Sequence, residues 1–266
     1  MNASAKLRWV YVLMAGFIVL FGVQAWMFVA SSVSSDGGQC VIVTGIEAGL
    51  IFGFTLARVL WRLGSQAYWT KKWRNHFRSR EHVKLTKRLA YKYRDLGVGI
   101  RVVRDDAFVA MALGIRRPTI IISDTVLNMF SEDEVEAIVL HEWHHCRNRD
   151  NAKLFIMRLA TEGFSYMPIM RSLLRYYQTW MELLADRFAI RRMGTELPLA
   201  SVLLKLAKLG NQRQHAAAIH FAAATLDYRI AQVLEPEQEI TVKVPLVRPL
   251  FFTLSLLLLL MIGGDA

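Results

Sequence analysis

Three apolar stretches interrupt an otherwise mixed pattern of hydrophobic and polar positions. The longest uninterrupted stretch covers about 9–30, contains no charged residue and has Trp9, Tyr11 and Trp26 near its ends. A run of 18 or so apolar residues is long enough to cross the hydrocarbon core of a bilayer, and amphipathic aromatic rings favour its interfaces. The pattern therefore predicts a transmembrane helix. It is longer than the apolar part of a usual signal peptide, and residues 31–38 lack a convincing small-x-small cleavage site.

Two further spans are predicted over about 40–60 and about 244–262. The second span contains Glu47 and Arg58, whereas the third includes the run LSLLLLLMI. An arginine can extend to the interface, but an acidic side chain at membrane depth must face protein, water or headgroups. The sequence is 54% hydrophobic, which favours a membrane protein. We therefore expect two transmembrane helices joined by a short extracytoplasmic link in 1–62, and a third helix with a short tail in 244–266.

The basic residues predict the orientation of these helices. Lys6 and Arg8 precede the first span, and the link between the first two spans has no Lys or Arg. Many basic residues follow the second span: Arg62, Lys71, Lys72, Arg74, Arg78, Arg80, Lys84, Lys87 and Arg88. The positive-inside rule then places the N-terminus and 63–243 in the cytoplasm, as expected for an integral protein of the bacterial inner (cytoplasmic) membrane.

The net charge of +11 changes this picture little. Basic residues interleaved with aromatic ones suit an anionic bilayer surface, so the lipid bilayer is an expected partner and nucleic acid is not. The two cysteines, Cys40 and Cys146, fall on opposite predicted sides of the membrane. We therefore expect no disulfide.

The sequence pattern of the region between the second and third spans predicts helices around a small sheet. Strong helix formers fill 62–97 and end at glycines, and the stretch 99–123 contains an alternating run and a β-branched run typical of strands. We expect a sheet of two to four strands. Ser131 and Glu134 match a capping box and predict the start of the next helix. Helical patterns then continue to 193, interrupted near Pro168, and a last pair of helices is predicted over 199–234.

The helix that begins at Ser131 carries the sequence His141-Glu142-Trp143-His144-His145. Histidines at i and i+4 project from one helical face and can bind one metal ion. The glutamate beside them can take a proton from a water molecule that the metal activates. The spacing therefore predicts a zinc peptidase site with His141 and His145 as Zn²⁺ ligands and Glu142 as the catalytic base.

A catalytic zinc usually has three protein ligands, and a later helix supplies a candidate. Glu182 can be the third ligand, and Asp186, one turn later, can accept a hydrogen bond from a ligand histidine. Without the upstream histidines, this pair would be read as solvated or salt-bridged. His144 lies off the line joining the two ligands, which predicts a surface or supporting role. Cys146 is predicted to be a small buried helix residue.

The stretch 114–151 resembles two related families of membrane gluzincins, the BlaR/MecR-type metallopeptidases and the HtpX/CAAX-protease type. HtpX-type proteins usually insert a transmembrane hairpin between the motif and the helix that bears the glutamate. Here the 36 residues between His145 and Glu182 are too few and too charged for such a hairpin, since they include Arg158, Glu162, Arg171 and Arg175. The segment 164–168, FSYMP, is similar to the aromatic-x-Pro motif of the BlaR/MecR type. Arg229-Ile230 with Leu234 resembles a downstream element of both families. The resemblance covers about 100–235 and favours the BlaR/MecR type.

The resemblance implies a mainly α fold, with transmembrane helices and a zincin-like α+β metallopeptidase domain that contains a small sheet. Asp150 matches an aspartate that follows the motif in both families. The residue that steadies the oxyanion is not identified, and the candidates, each of which also suits a structural role, are Arg229, His220, His215 and Tyr228. By analogy, the strand-like stretch 105–113 offers an edge to an extended substrate.

The implied function is a membrane-anchored zinc metalloendopeptidase that cleaves a protein or peptide substrate on the cytoplasmic side, in signalling or regulation. BlaR/MecR receptors end in an extracellular penicillin-binding sensor. This sequence ends four residues after the third predicted span, so we expect no such sensor. The substrate, the activating signal and the oligomeric state are not predicted.

Three alternatives are weighed against this interpretation. An intramembrane site-2-type protease would need an apolar motif helix, but this helix begins SEDEVE and ends RNRD. A catalytically silent membrane signalling scaffold would not need Glu142. An HtpX-like quality-control protease keeps the same motif but usually has the additional hairpin.

Overall fold

In the computed structural model, which describes residues 3–34, 38–212, 217–235 and 240–262, the chain forms ten α-helices and three β-strands. The helices are α1 (Ala3–Ser34), α2 (Gly38–Ser79), α3 (Val83–Lys92), α4 (Asp124–Met129), α5 (Glu132–Asn148), α6 (Asp150–Gly163), α7 (Pro168–Met193), α8 (Leu197–Gln212), α9 (Ala217–Leu234) and α10 (Val247–Ile262). The strands are β1 (Gly99–Val103), β2 (Ala110–Leu113) and β3 (Thr119–Ser123). The prediction of a mainly helical chain with a small sheet is confirmed.

The chain divides into two compact units. The first, which we call the apolar-helix unit, contains Met1–Ala67, Phe155–Gln178 and Lys243–Ala266. The second, the site unit, contains Tyr68–Leu154 and Thr179–Val242. The cytoplasmic zincin-like domain over 63–243 stays a prediction; within that range, Phe155–Gln178, which contains the α6–α7 connection, groups with the apolar helices.

The contacts of the α6–α7 connection explain this grouping. The ring of Phe21 in α1 packs against Phe164 and Tyr166, with centroid distances of 5.9 and 5.3 Å. Arg58 of α2 forms an ion pair with Glu162 of α6. The aromatic-x-Pro segment therefore contributes side chains to the core of the apolar-helix unit.

One helix among the described residues is long and apolar enough to cross a membrane, judged by length and composition. This helix is the part of α1 over Ala5–Ala30. Only 11% of its most apolar 18-residue window is buried. A shorter apolar helix covers Val247–Leu259 within α10. The first predicted span coincides with the qualifying helix, and the spans over 40–60 and 244–262 stay predictions.

The helix predicted over 62–97 differs from the observed one. Helix α2 continues from the second apolar stretch to Ser79, and the chain is not helical at residues 80–82. There the Arg104 N–H donates to the Arg80 carbonyl and the His82 N–H donates to the Val102 carbonyl, each at 2.8 Å. The outer side of β1 thus obtains backbone hydrogen bonds from this segment. Local helix propensity is overridden by pairing that the sequence pattern does not reveal.

The sheet has the order β1-β3-β2, with β1 parallel and β2 antiparallel to β3. Ile120 and Ile122 of the central strand are fully buried, as is Val102 of β1. They form one core with Val126 of α4 and Val139 of α5. This core holds the motif helix α5 against the sheet.

Both ends of α5 are fixed by side-chain or backbone geometry. The Ser131 hydroxyl accepts from the Glu134 N–H, and the Glu134 carboxylate accepts from the Ser131 N–H, which is the predicted capping box. Glu134 also accepts hydrogen bonds from Ser201 and from Lys205 of α8, the latter at 2.6 and 2.7 Å. At the other end Arg149 has a φ of +53°, so the chain turns directly into α6.

We expect Glu134→Gln to lower the free energy of unfolding by about 1.5–3 kcal/mol at pH 7, since charge-assisted hydrogen bonds at a buried site are lost. Burial alone raises the pKa of Glu134, but the hydrogen bonds from Lys205, Ser201 and Ser131 outweigh burial, so its pKa lies below the ordinary value of 4.5. The stabilisation is therefore complete above the pKa of the unfolded chain and is lost as pH falls through the lower folded pKa. Thermal unfolding followed by tryptophan fluorescence, from pH 7 down to pH 3, measures both effects.

Glu132→Gln is the matched control, because it removes the same charge from the same helical turn. The Glu132 side chain is 80% exposed and pairs with Lys92 at 3.1 Å, and exposed pairs contribute about 0–1 kcal/mol. An equal loss of stability in the two variants would contradict the role assigned to Glu134.

Candidate metal centre

Helix α5 presents two buried histidines to one point in the site unit. His141 and His145 lie one turn apart, and their Nε2 atoms are 3.1 Å from each other. Both residues are less than 9% exposed. The i, i+4 spacing thus brings two imidazole nitrogens together, as the sequence predicts.

Helix α7 adds a carboxylate to this pair. Glu182 Oε2 lies 3.3 Å from His141 Nε2, and Glu182 Oε1 lies 3.7 Å from His145 Nε2. Zinc–nitrogen and zinc–oxygen bonds of about 2.0–2.2 Å in tetrahedral geometry place ligand atoms roughly 3.3–3.6 Å apart. The three measured separations, 3.1, 3.3 and 3.7 Å, lie within about 0.2 Å of this range, and the three side chains form a group that could hold a metal.

Each histidine has a carboxylate at its other ring nitrogen. Asp186 Oδ1 lies 2.8 Å from His141 Nδ1, and Asp150 Oδ2 lies 2.9 Å from His145 Nδ1. Such carboxylates leave Nε2 free for a metal and fix the orientation of the ring. The left-handed turn at Arg149 brings Asp150, only five positions after His145, back to that histidine.

Arg229 of α9 joins the carboxylates of α7. Its Nε and Nη2 atoms donate to Asp186 at 2.6 and 2.7 Å, and Nη1 lies 3.3 Å from Glu182 Oε2. Nη2 is also 3.5 Å from His141 Nδ1. A guanidinium fits a carboxylate in this two-point manner, so Arg229 fixes Asp186, whose Oδ1 atom is shared by Arg229 and His141.

The buried charges shift one another strongly. Burial and the charge of Arg229 lower the pKa of His141, but the carboxylates of Asp186 and Glu182 outweigh them and raise it to about 10. Burial raises the pKa of Glu182, but both histidines and Arg229 outweigh it and hold this pKa far below its usual range. Burial likewise opposes ionisation of Asp186, and Arg229 and His141 lower its pKa. The carboxylates are therefore anionic and attract cations, and a metal ion would displace a proton from His141.

Glu142 follows His141 directly and its side chain is half-buried. Together with the larger effects of Asp186 and Glu182, the negative charge of Glu142 raises the pKa of Arg229. A carboxylate next to this cluster can accept a proton from a water molecule held there.

His144 and Cys146 lie outside the group of three. The Asn148 amide nitrogen is 2.9 Å from His144 Nε2, and the His144 ring lies 5.3 Å from that of Phe188. Burial and the charge of His145 lower the pKa of His144 to about 4, which keeps the ring neutral. Burial raises the pKa of Cys146 to about 12, so its thiol stays protonated and belongs to the core.

Two features of the site were not predicted from the sequence. The first is the Asn151 amide, which donates to the carbonyls of Ala112 and Gly114. The second is the two-point pairing of Arg229, a candidate from the sequence, with Asp186. Asparagine next to a site aspartate gives no signal of its own. Tyr228 lies half-buried in α9, whereas His215 and the side chain of His220 lie outside the described residues.

Comparison with known proteins decides the family. The family model described as BlaR1 peptidase M56 matches residues 39–233. This chain belongs to the BlaR1 peptidase M56 family. It is also 28% identical over 101 residues to the regulatory protein BlaR1 of Bacillus licheniformis, a match that covers 37% of this chain and 17% of that protein.

Membership of this family identifies the chain as a membrane-associated peptidase, consistent with the apolar helix at Ala5–Ala30. The matched region extends through the motif helix, the Glu182 helix and Arg229. The resemblance to BlaR/MecR-type proteins predicted from residues 114–151 is confirmed.

Proposed function

We propose that this protein is a zinc-dependent endopeptidase that hydrolyses peptide bonds of a protein substrate at the cytoplasmic side of the bacterial inner membrane. The observation that carries the proposal is the convergence of His141, His145 and Glu182 at the spacing of tetrahedral zinc ligands. Two nitrogens and one oxygen form a donor set suited to zinc, with a fourth position open for water or substrate. The flanking carboxylates of Asp186 and Asp150 support this assignment.

The proposed mechanism assigns each side chain a task. Zinc, when bound, supplies Lewis acidity that polarises the scissile carbonyl and makes water a usable nucleophile. Glu142 accepts the proton of the attacking water and then donates it to the leaving amine, which balances the proton over the reaction. Asp186 and Asp150 hold the two imidazoles in the tautomer that a metal needs. Arg229 neutralises part of the negative charge of Glu182 and Asp186.

The proposed topology rests on charge. Basic residues precede the first predicted span, follow the second and stand at the start of the third, whereas the short link after α1 and residues 263–266 contain none. Positively charged flanks stay in the cytoplasm. The site unit would then face the cytoplasm, with spans over about 9–30, 40–60 and 244–262. Since the matched relative is named a regulatory protein, we propose that cleavage serves signalling.

Metal analysis tests the proposal. Purified protein should contain about one zinc ion per chain, and the His141→Ala/His145→Ala double variant should contain none, since two of three ligands are removed. His144→Ala is the matched control, because it removes a histidine from the same helix and should keep the metal. A metal-free wild type would contradict the proposed function, and loss of zinc in His144→Ala would contradict the ligand set.

A further inference from the structure

Strand β2 has an open edge. The order β1-β3-β2 leaves one side of β2 without a partner strand in the part of the chain that the structure describes. The Ser123 N–H donates to the Val109 carbonyl at 2.8 Å, so Val109 and Ser123 form a hydrogen-bonded pair at the start of the antiparallel ladder. Because hydrogen-bonded and non-hydrogen-bonded pairs alternate, Ala110 and Ala112 direct their N–H and C=O groups away from β3.

One of these outward groups is already occupied. The Asn151 Nδ2 atom lies 2.7 Å from the Ala112 carbonyl oxygen and 3.2 Å from that of Gly114. Within the described ranges, the structure gives no partner to the outward N–H and C=O of Ala110 or to the Ala112 N–H. The edge thus offers three backbone groups to a partner strand. The next outward group, the Ala112 carbonyl, is already occupied by Asn151.

The residue that ends the edge is joined to the candidate metal centre. Asn151 directly follows Asp150, which pairs with His145 at 2.9 Å. Both residues lie in the first turn of α6, immediately after the left-handed turn at Arg149. The end of β2 is therefore tied to the same turn that orients one of the two histidines.

We propose that Asn151 is a positioning residue that sets the register of an extended peptide on β2, because it leaves Ala110 as the last residue of β2 that can exchange both backbone hydrogen bonds with the peptide. An antiparallel peptide exchanges two hydrogen bonds with Ala110 through one of its residues. The residue two positions along would need the Ala112 carbonyl, to which Asn151 already donates. A shift of one residue in register turns every side chain to the other face, so this stop fixes which peptide bond reaches the site. The inference rests on the proposed function.

The test is a scan of backbone N-methylation in a peptide substrate. The substrate is the decapeptide that zinc-loaded wild type cleaves best from a random-sequence library. In wild type, N-methylation of the peptide residue whose N–H pairs with the Ala110 carbonyl should raise KM. N-methylation of the residue opposite Ala112, two positions away in the peptide, should have no effect. In Asn151→Ala the Ala112 carbonyl becomes free, and the second position should become sensitive, with KM raised about 2- to 10-fold by one lost hydrogen bond.

Asn151→Leu is a second variant that also lacks the donor to the Ala112 carbonyl, so the second position should become sensitive in it as in Asn151→Ala. Zinc content should stay at one ion per chain in both variants. An unchanged N-methylation pattern in Asn151→Ala would overturn the inference alone. A wild type that cleaves no library peptide would overturn the proposed function and this inference with it.

Discussion

Glu142→Gln should retain zinc and lose peptide cleavage. The substitution keeps the size and shape of the side chain but removes its ability to accept and return a proton. General acid–base catalysis typically contributes about 10²–10⁴-fold, so we expect kcat to fall by at least that factor. Cleavage of the library decapeptide, together with zinc content of the same preparation, measures the two effects separately.

The conservative variant Glu142→Asp should be intermediate, because it keeps the carboxylate but withdraws it by one methylene from the water that it must reach. Glu136→Gln, in the same helix but ahead of the motif, should leave kcat unchanged. Undiminished cleavage by Glu142→Gln would remove Glu142 from the role of base. Loss of zinc in that variant would indicate that Glu142 contributes to metal binding instead.

The parts of the fold that the sequence predicted well are those fixed by local chemistry. The start of α5 follows from Ser131 and Glu134, whose side chains satisfy backbone groups within one turn. Strands β1 and β3 follow from the alternating run GIRVV and the β-branched run TIIIS, which form a largely buried pair. The break after Ser79 was missed, because it depends on pairing of residues 80–82 with β1, some 20 positions later.

The same division applies to the site. The helical spacing of His141 and His145 is a local property, so their convergence could be predicted. The prediction of Glu182 depends on the need of a catalytic zinc for a third protein ligand, because no local spacing links this residue to the two histidines. The bidentate contact between Arg229 and Asp186 joins α9 to α7 across 43 positions, and no periodicity or motif spacing specifies which arginine reaches which carboxylate. Tertiary packing decides such contacts.

Arg229→Ala should destabilise the zinc-free protein more than the zinc-loaded protein. Without Arg229, the buried carboxylates of Glu182 and Asp186 lose their fixed positive partner. Removing one member of a buried ion pair typically costs about 3–5 kcal/mol, and we expect a loss of this size after chelation. A bound zinc ion would supply positive charge to Glu182, so the loss should be smaller in the zinc-loaded form. Thermal unfolding with and without a chelator measures the difference.

Arg229→Lys separates charge from geometry. Lysine keeps the positive charge but cannot place two parallel donors on Asp186, so His141 would lose a firmly held partner while Glu182 would keep a cation nearby. We therefore expect the zinc-free Lys variant to be more stable than the Ala variant. The Lys variant keeps the cation beside the site but loses the firmly held Asp186, so it should bind zinc about 10- to 100-fold more weakly than wild type. The Ala variant, which loses less stability with zinc than without it, must by linkage bind zinc more tightly than wild type. Competition with a zinc chelator measures the affinity. Equal destabilisation of Arg229→Ala with and without zinc would show that Arg229 acts through packing alone, because only a charge-compensating role makes its effect depend on the metal.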